Sequence, residues 1–234
     1  MATFVICHGA WDGGWFWKEP ASCLRSFGHE VYTPTLTGLG ERVHLATPAI
    51  DLETHIQDIV NLISYEDLQQ VILVGHSYGG MVVTGAADRV PERIKQLVYL
   101  DAYVPENGQS LADLVAEHPS GGTVNRQMLD AAKRYGDGWK VPFLSHPPYD
   151  ARVAPHPLKT FLDRIDLRES IAFLEIPRTF ILCTGRGTNP LYDPIDQAAV
   201  RAKTRRWRVY EMASGHHPNL TKPREIAALL HEIG

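Results

Sequence analysis

Val71-Ile72-Leu73-Val74-Gly75-His76-Ser77-Tyr78-Gly79-Gly80-Met81-Val82-Val83 carries four apolar residues into a glycine-flanked serine and then into a second apolar run. A short continuous run such as Val71 to Val74 is the pattern of a strand buried on both faces of a parallel sheet. The run from Met81 to Ala87 predicts a helix, so Gly75-His76-Ser77-Tyr78-Gly79 is a G-x-S-x-G turn between strand and helix. In such a turn the serine is held in a strained backbone conformation that only small neighbours permit, which accounts for Gly75 and Gly79. The turn lifts the hydroxyl above the sheet, and the helix start behind it points N–H groups at developing negative charge. Ser77 is therefore a candidate nucleophile. A chance match in an ordinary turn would lack the flanking strand and helix.

The same alternation extends outward in both directions. Phe4 to Cys7 predicts a strand ended by His8-Gly9, and a helix from about Trp17 to Phe27 is stopped by Gly28. A strand begins at Val31-Tyr32, and after the loop from Pro34 to Pro48 a helix starts with Asp51 as N-cap and Leu52, Ile56, Ile59, Val60 and Ile63 on one face. Downstream lie the strands Leu97 to Leu100, Thr179 to Leu182 and Trp207 to Tyr210. A helix runs around Ile195 to Lys203, and a last one turns Ile226, Leu229, Leu230 and Ile233 inward. Right-handed crossovers of this kind predict an α/β fold: a mostly parallel sheet of about six strands with helices on both faces.

Between Tyr103 and Pro177 the rhythm breaks, with Pro105, Pro119, Pro142, Pro147, Pro148, Pro155 and Pro157 crowding the segment. Residues 103–177 are expected to form a cap inserted over the sheet's carboxyl edge, the core being 1–102 and 178–234. Leu111, Leu114, Trp139, Phe143, Leu158, Phe161, Leu162 and Leu174 give the cap apolar area with which to pack.

The 234 residues, 44% hydrophobic and 21% charged, suit one domain with a modest insertion. A formal charge of −4 provides no basic field, so nucleic acid is not an expected partner. Arg205-Arg206-Trp207-Arg208 reads as a solvated helix end running into a strand. Cys7 and Cys183, two of the three cysteines, fall in apolar runs, which argues against a disulfide framework and for a reducing cytoplasm. Met1 to Cys7 enters a strand pattern with no basic leader and no long apolar segment, so neither export nor a membrane is expected. The sequence leaves monomer and homodimer equally open.

A serine hydroxyl needs a base. His216, in the late strand-to-helix loop Met212-Ala213-Ser214-Gly215-His216-His217-Pro218, is the first choice, with its neighbour His217 second. The other nine histidines show no metal-ligand spacing such as H-E-x-x-H, and neither metal nor cofactor is expected. His8 and His76 are expected to hold loop geometry by hydrogen bonds. An oxyanion needs two preorganised N–H donors, assigned to the backbones of Ala10, in the glycine-rich loop Gly9 to Trp15, and Tyr78. Trp11, Trp15, Phe16, Tyr78, Tyr103 and Trp139 are placed to line an apolar site, with Trp11 and Trp139 assigned to substrate binding.

From Phe4 to Leu100, and again from Thr179 to the end, the chain resembles plant methyl-salicylate esterases and hydroxynitrile lyases of the α/β-hydrolase superfamily, and still more a set of small bacterial esterases. The resemblance lies in Phe4 to Ala10, Gly13-Gly14-Trp15, Gly28-His29-Glu30-Val31, Val74 to Gly80, and His216 followed by Leu220. It implies an α/β-hydrolase fold and puts Ala10, Ser77, Tyr78 and His216 on the family's oxyanion, nucleophile and base positions. The lyases look different from the esterases in carrying a threonine after the strand-end histidine and a lysine after the catalytic one. Gly9 and His217 stand there in this chain, which favours ester hydrolysis. The family's acid follows the strand ending at Leu182, yet Cys183-Thr184-Gly185-Arg186-Gly187 has none. Asp101, which ends the strand after the nucleophile's crossover, is the first choice, as some related haloalkane dehalogenases similarly draw their acid from there. Asp193 is second, and Asp196 lies further along the same loop.

The expected function is serine hydrolysis of small or medium apolar aryl or alkyl esters through an acyl-enzyme. The rivals are a hydroxynitrile lyase-like or other carbon–carbon cleaving enzyme, and a non-catalytic small-ligand binder.

Overall fold

The apolar runs become one parallel sheet. In chain order its strands are β1 (Thr3–Cys7), β2 (Glu30–Tyr32), β3 (Val71–His76) and β4 (Ile94–Leu100), then, beyond a small hairpin of β5 (Lys140–Val141) and β6 (His156–Pro157), β7 (Arg178–Cys183) and β8 (Arg208–Met212). The computed structural model describes residues 1–117, 119, 121–143 and 151–234, with side chains for all of these except 171 and 172. Pro147 and Pro148 lie outside them.

The six strands run in the order β2-β1-β3-β4-β7-β8, all pairs parallel, with one register shift between Val71 and Ile72. Alternate residues divide between two cores. Phe4, Ile6, Ile72 and Val74 pack under α1 (Lys18–Ser26) and α10 (Pro223–Ile233), the latter following the four-residue α9 (Pro218–Thr221). Val5, Cys7, Val71 and Leu73 pack under α2 (Leu52–Tyr65), α3 (Gly79–Arg89) and α8 (Asp193–Thr204). Each such apolar side chain taken out of water contributes about 1.5–3 kcal/mol, so both faces are firmly held. Asp51 caps α2 by accepting from the Thr54 amide at 2.9 Å. The α1 helix begins one residue later than the apolar pattern suggests, because Gly14–Trp17 forms a separate 3-10 turn.

Because the strands are parallel, the residues that follow them collect along one edge. The order reverses between β1 and β3, which opens a crevice at that edge between the loops after these two strands. Residues 103–177 supply α4 (Leu111–Ala116), α5 (Gly121–Tyr135), the β5–β6 hairpin, α6 (Lys159–Leu162) and α7 (Ile171–Glu175). Leu111, Leu114, Val115, Ala132, Val141 and Phe161 of this segment share the apolar cluster of α2 and α3. Lys159 pairs with Asp51 at 2.9 Å, and the Trp11 indole N–H donates to the Val141 carbonyl at 2.7 Å. Leu162 and Leu174 do not serve as packing residues: they are 43% and 56% exposed, because the short α6 and α7 turn them outward.

Among the described residues four histidines are fully buried, and three of them, His8, His55 and His156, each have one donor and one acceptor partner. His8 donates to the Gly9 carbonyl and accepts from the Leu36 amide. His55 donates to the Thr37 carbonyl and accepts from the Tyr78 hydroxyl. His156 accepts from the Trp11 amide and donates to the Thr160 hydroxyl. Each ring is held neutral: burial outweighs the pull of Asp58 and lowers the pKa of His8 and of His55 from 6.5 to about 4, and pushes His156 well below its ordinary value. Unfolding therefore takes up protons that the native state refuses, and stability is lost as pH falls from about 6.5 towards 4. Each ring accounts for about 1.4 kcal/mol per pH unit in that window. Urea titrations at a series of pH values should show this slope; a flat unfolding free energy from pH 7 to 5 would contradict it.

Candidate active site

At the end of β3 the chain turns so sharply that Ser77 adopts a left-handed φ of +53°. Its neighbours must be glycine for reasons of space. A Cβ on Gly75 would lie 2.6 Å from Val83 Cγ2, and one on Gly79 would lie 2.7 Å from the carbonyl oxygens of Cys7 and His8. Ser77 is pinned by its amide donating to the Leu100 carbonyl at 3.3 Å and by the Tyr103 amide donating to its own carbonyl at 3.1 Å.

The loop after β8 brings His216 Nε2 to 2.9 Å from Ser77 Oγ, and Asp101, directly after β4, places Oδ2 at 2.6 Å from His216 Nδ1. With Nδ1–H donating to the carboxylate, Nε2 keeps its lone pair towards the serine hydroxyl. Asp101 is fully buried at a φ of +43°, and its charge is matched on every side. Its Oδ1 accepts from the Cys183 amide at 3.0 Å and lies 3.5 Å from the Arg186 guanidinium, which is itself 6% exposed. Arg186 also donates to the Cys183 carbonyl and to Asp196. The rings of His76 and Tyr192 flank His216, each 4.8 Å away, and the His76 Nε2–H donates to the His216 carbonyl at 2.7 Å. Asp193 begins α8 instead of meeting His216, and Asp196 is engaged by Arg186.

Among the described residues, neither the Ala10 nor the Tyr78 amide donates a hydrogen bond, so both remain available beside Ser77. All of these groups open into a cavity of about 450 Å³ whose walls include Trp11, Tyr78, Tyr103, Met128, Phe143 and Phe161. Trp11, at a φ of +64°, packs its ring on Phe143 and Phe161. Trp139 is not part of this wall: it sits in the turn between α5 and β5, with the Lys140 ammonium 4.8 Å over its ring. Trp15 and Phe16 are also elsewhere, Phe16 buried in the core under α1 and Trp15 stacked beneath the Arg152 guanidinium.

Sequence reasoning missed Arg186, Tyr192 and Asp12, the last a cavity-lining carboxyl that is 4% exposed. For Arg186 a signal existed, since a cation stands in the loop where an acid was sought. His217 contacts the rings of Phe16, His76 and His216; burial, then the charge of His216, lowers its pKa to about 3, so it stays neutral.

A profile of the alpha/beta hydrolase family matches residues 4–229. Over its whole length the chain is 36% identical to the carbendazim hydrolyzing esterase of Nocardioides sp. (strain SG-4G), covering 100% of both chains. It is 25% identical to methylesterase 10 of Arabidopsis thaliana across 98% of this chain and 90% of that one. In three dimensions it is similar to an extracellular alpha/beta-hydrolase from a Paenibacillus species, with a TM-score of 0.80, 28% identity, and 100% and 99% of the two chains covered. That protein is described as sharing structural and functional homology with tobacco salicylic acid binding protein 2.

Proposed function

Because the chain belongs to the alpha/beta hydrolase family, we propose that it is a serine carboxylic-ester hydrolase in which Ser77 attacks, His216 carries the proton and Asp101 orients His216. The observation that carries this reading is the unbroken relay from Asp101 Oδ2 to His216 at 2.6 Å and from His216 to Ser77 Oγ at 2.9 Å, ending in an apolar cavity.

In the first half-reaction His216 Nε2 takes the hydroxyl proton as Ser77 Oγ bonds to the ester carbonyl carbon. The carbonyl oxygen, now negative, turns to the Ala10 and Tyr78 amides. When the tetrahedral intermediate collapses, the bond to the alkoxy oxygen breaks and His216 gives that oxygen its proton. In the second half-reaction water, deprotonated by His216, attacks the acyl-serine, and the proton returns to Ser77 as the carboxylic acid leaves. No cofactor enters these steps.

A cavity of about 450 Å³ walled by aromatic rings suits aryl and short or medium alkyl esters. The activity of the Nocardioides relative makes carbendazim one compound to assay. The described residues of the 103–177 segment act as a cap over this cavity, with Tyr103, Leu111, Val124, Met128, Phe143 and Phe161 among those on its wall. The neutral His217 lacks the fixed charge that would steady a departing cyanide, which supports hydrolysis over cyanohydrin cleavage. Three free cysteines, two of them buried, support a reducing cytoplasm as the site of action. Among the described residues no helix is long and apolar enough to cross a membrane.

The test is a chain-length series of p-nitrophenyl esters together with labelling by a fluorophosphonate. Stoichiometric labelling is expected, with kcat/KM falling steeply beyond medium chains as the acyl group outgrows the cavity. Equal turnover from acetate to palmitate would refute the closed shape, and absence of labelling would refute the nucleophile.

A further inference from the structure

Three side chains converge beside Ser77 without entering the proton relay. Asp12 from the loop after β1, His76 at the end of β3 and His217 from the loop after β8 each bring a ligand-type atom within 4.8 Å of the others. Asp12 is 4% exposed and His76 fully buried. His76 spends its Nε2–H on the His216 carbonyl, so Nδ1 is left as a buried lone pair, and it has no hydrogen-bond partner among the described residues. Buried acceptors of this kind are uncommon and require a positively polarised occupant. Gly9 leaves the room for one: a Cβ there would lie 3.2 Å from both Asp12 Oδ2 and His76 Nδ1.

We propose that Asp12, His76 and His217 form a binding site for a divalent transition-metal ion of the zinc type, and that an ion held there reversibly inhibits the esterase. Two imidazoles and one carboxylate are a donor set suited to zinc. The hydrogen bond from His76 to a backbone carbonyl is the outer-shell support that orients a metal-binding imidazole. Tetrahedral zinc spaces its ligand atoms about 3.4 Å apart, so the widest separation among the three groups, at most 4.8 Å, closes by up to about 1.4 Å on binding. Asp12 and His217 both line the catalytic cavity, which provides the ion's path. Once seated, the ion stands against Ser77 Cβ, itself 3.2 Å from the Gly9 Cβ position, and narrows the space for an acyl group. The inhibitory effect rests on Ser77 being the nucleophile, whereas ion binding does not.

The experiment uses the full chain freed of metal by a chelator, titrated with zinc by calorimetry and followed by counting of bound zinc. Hydrolysis of p-nitrophenyl acetate is measured in parallel. One zinc per chain is expected for the wild type and for Ser77→Ala, the latter keeping the ion readout independent of catalysis. Asp12→Asn and His217→Gln, two variants of conserved size checked for folding by circular dichroism, should each weaken binding by at least the roughly 10–100-fold that even outer-shell partners contribute. Hydrolysis should fall with the same midpoint and return on adding chelator. Absence of binding below millimolar zinc would overturn the site. Loss of binding in His231→Gln but not in Asp12→Asn would move it to the surface pair of His29 and His231, whose ring nitrogens lie 2.7 Å apart, and overturn it equally. Zinc bound at undiminished activity would overturn the inhibitory role.

Discussion

Ser77→Ala should lower kcat on a p-nitrophenyl ester by about 10⁶, leave KM nearly unchanged and abolish fluorophosphonate labelling. The substitution removes one oxygen and little else. His216 keeps its hydrogen bond to Asp101, the Ala10 and Tyr78 amides keep their positions, and the cavity wall is untouched. Ground-state binding therefore survives while the covalent route disappears. The activity that remains, about 10³–10⁴ over water, would come from the two amides and from binding alone. His216→Ala should cost about as much, and the double variant scarcely more, because nucleophile and base act as one unit. Alanine inherits the same left-handed backbone as serine, so the unfolding free energy should change little. A Ser77→Ala protein that kept more than about one per cent of wild-type turnover would require another nucleophile.

The sheet was legible because strands buried on both faces read as unbroken apolar runs, and Phe4 to Cys7 or Val71 to Val74 admit few other readings. Ser77 was legible for a related reason: the steric demands that reserve positions 75 and 79 for glycine leave a local pattern. The segment from 103 to 177 was legible only as an interruption of the strand-helix rhythm. Apart from α5 its helices are only four to six residues long, so periodicity could not separate Phe161, which packs into the core, from Leu162, which faces solvent. Trp139 failed as a wall residue because a turn of glycines and a lysine directs it, and no periodicity encodes that direction. The meeting of Asp12, His76 and His217 left no spacing to recognise, since two loops and the end of β3, far apart in the chain, bring them together. Arg186 shows a further limit: its place in the loop where an acid was sought marks a cation there, but nothing in the sequence marks that cation as buried against Asp101.

The same arginine sharpens the second large effect. Asp101→Asn should lower kcat by about 10⁴ with KM little changed, while Asp193→Asn should behave as wild type. An asparagine at 101 can still accept from the Cys183 amide, so the strand end keeps its shape. What changes is the group facing His216 Nδ1. An amide NH₂ there donates where the carboxylate accepted, which drives the imidazole to the tautomer with its proton on Nε2 and leaves no lone pair for the serine proton. The charge deletion also has a structural cost. Arg186 loses one of its two carboxylate partners in a nearly closed site, although Asp196 and the Cys183 carbonyl still hold it, so the loss should fall short of the roughly 3–5 kcal/mol of a fully orphaned buried ion. Thermal melts and turnover thus report different things: a modest drop in Tm with a collapse in kcat identifies an orienting acid, and a drop in Tm with kcat intact identifies a carboxylate that merely ends a strand. Should Asp193→Asn prove the damaged variant, the acid would have to reach His216 from the start of α8, and the 2.6 Å contact from Asp101 would be a structural bond only.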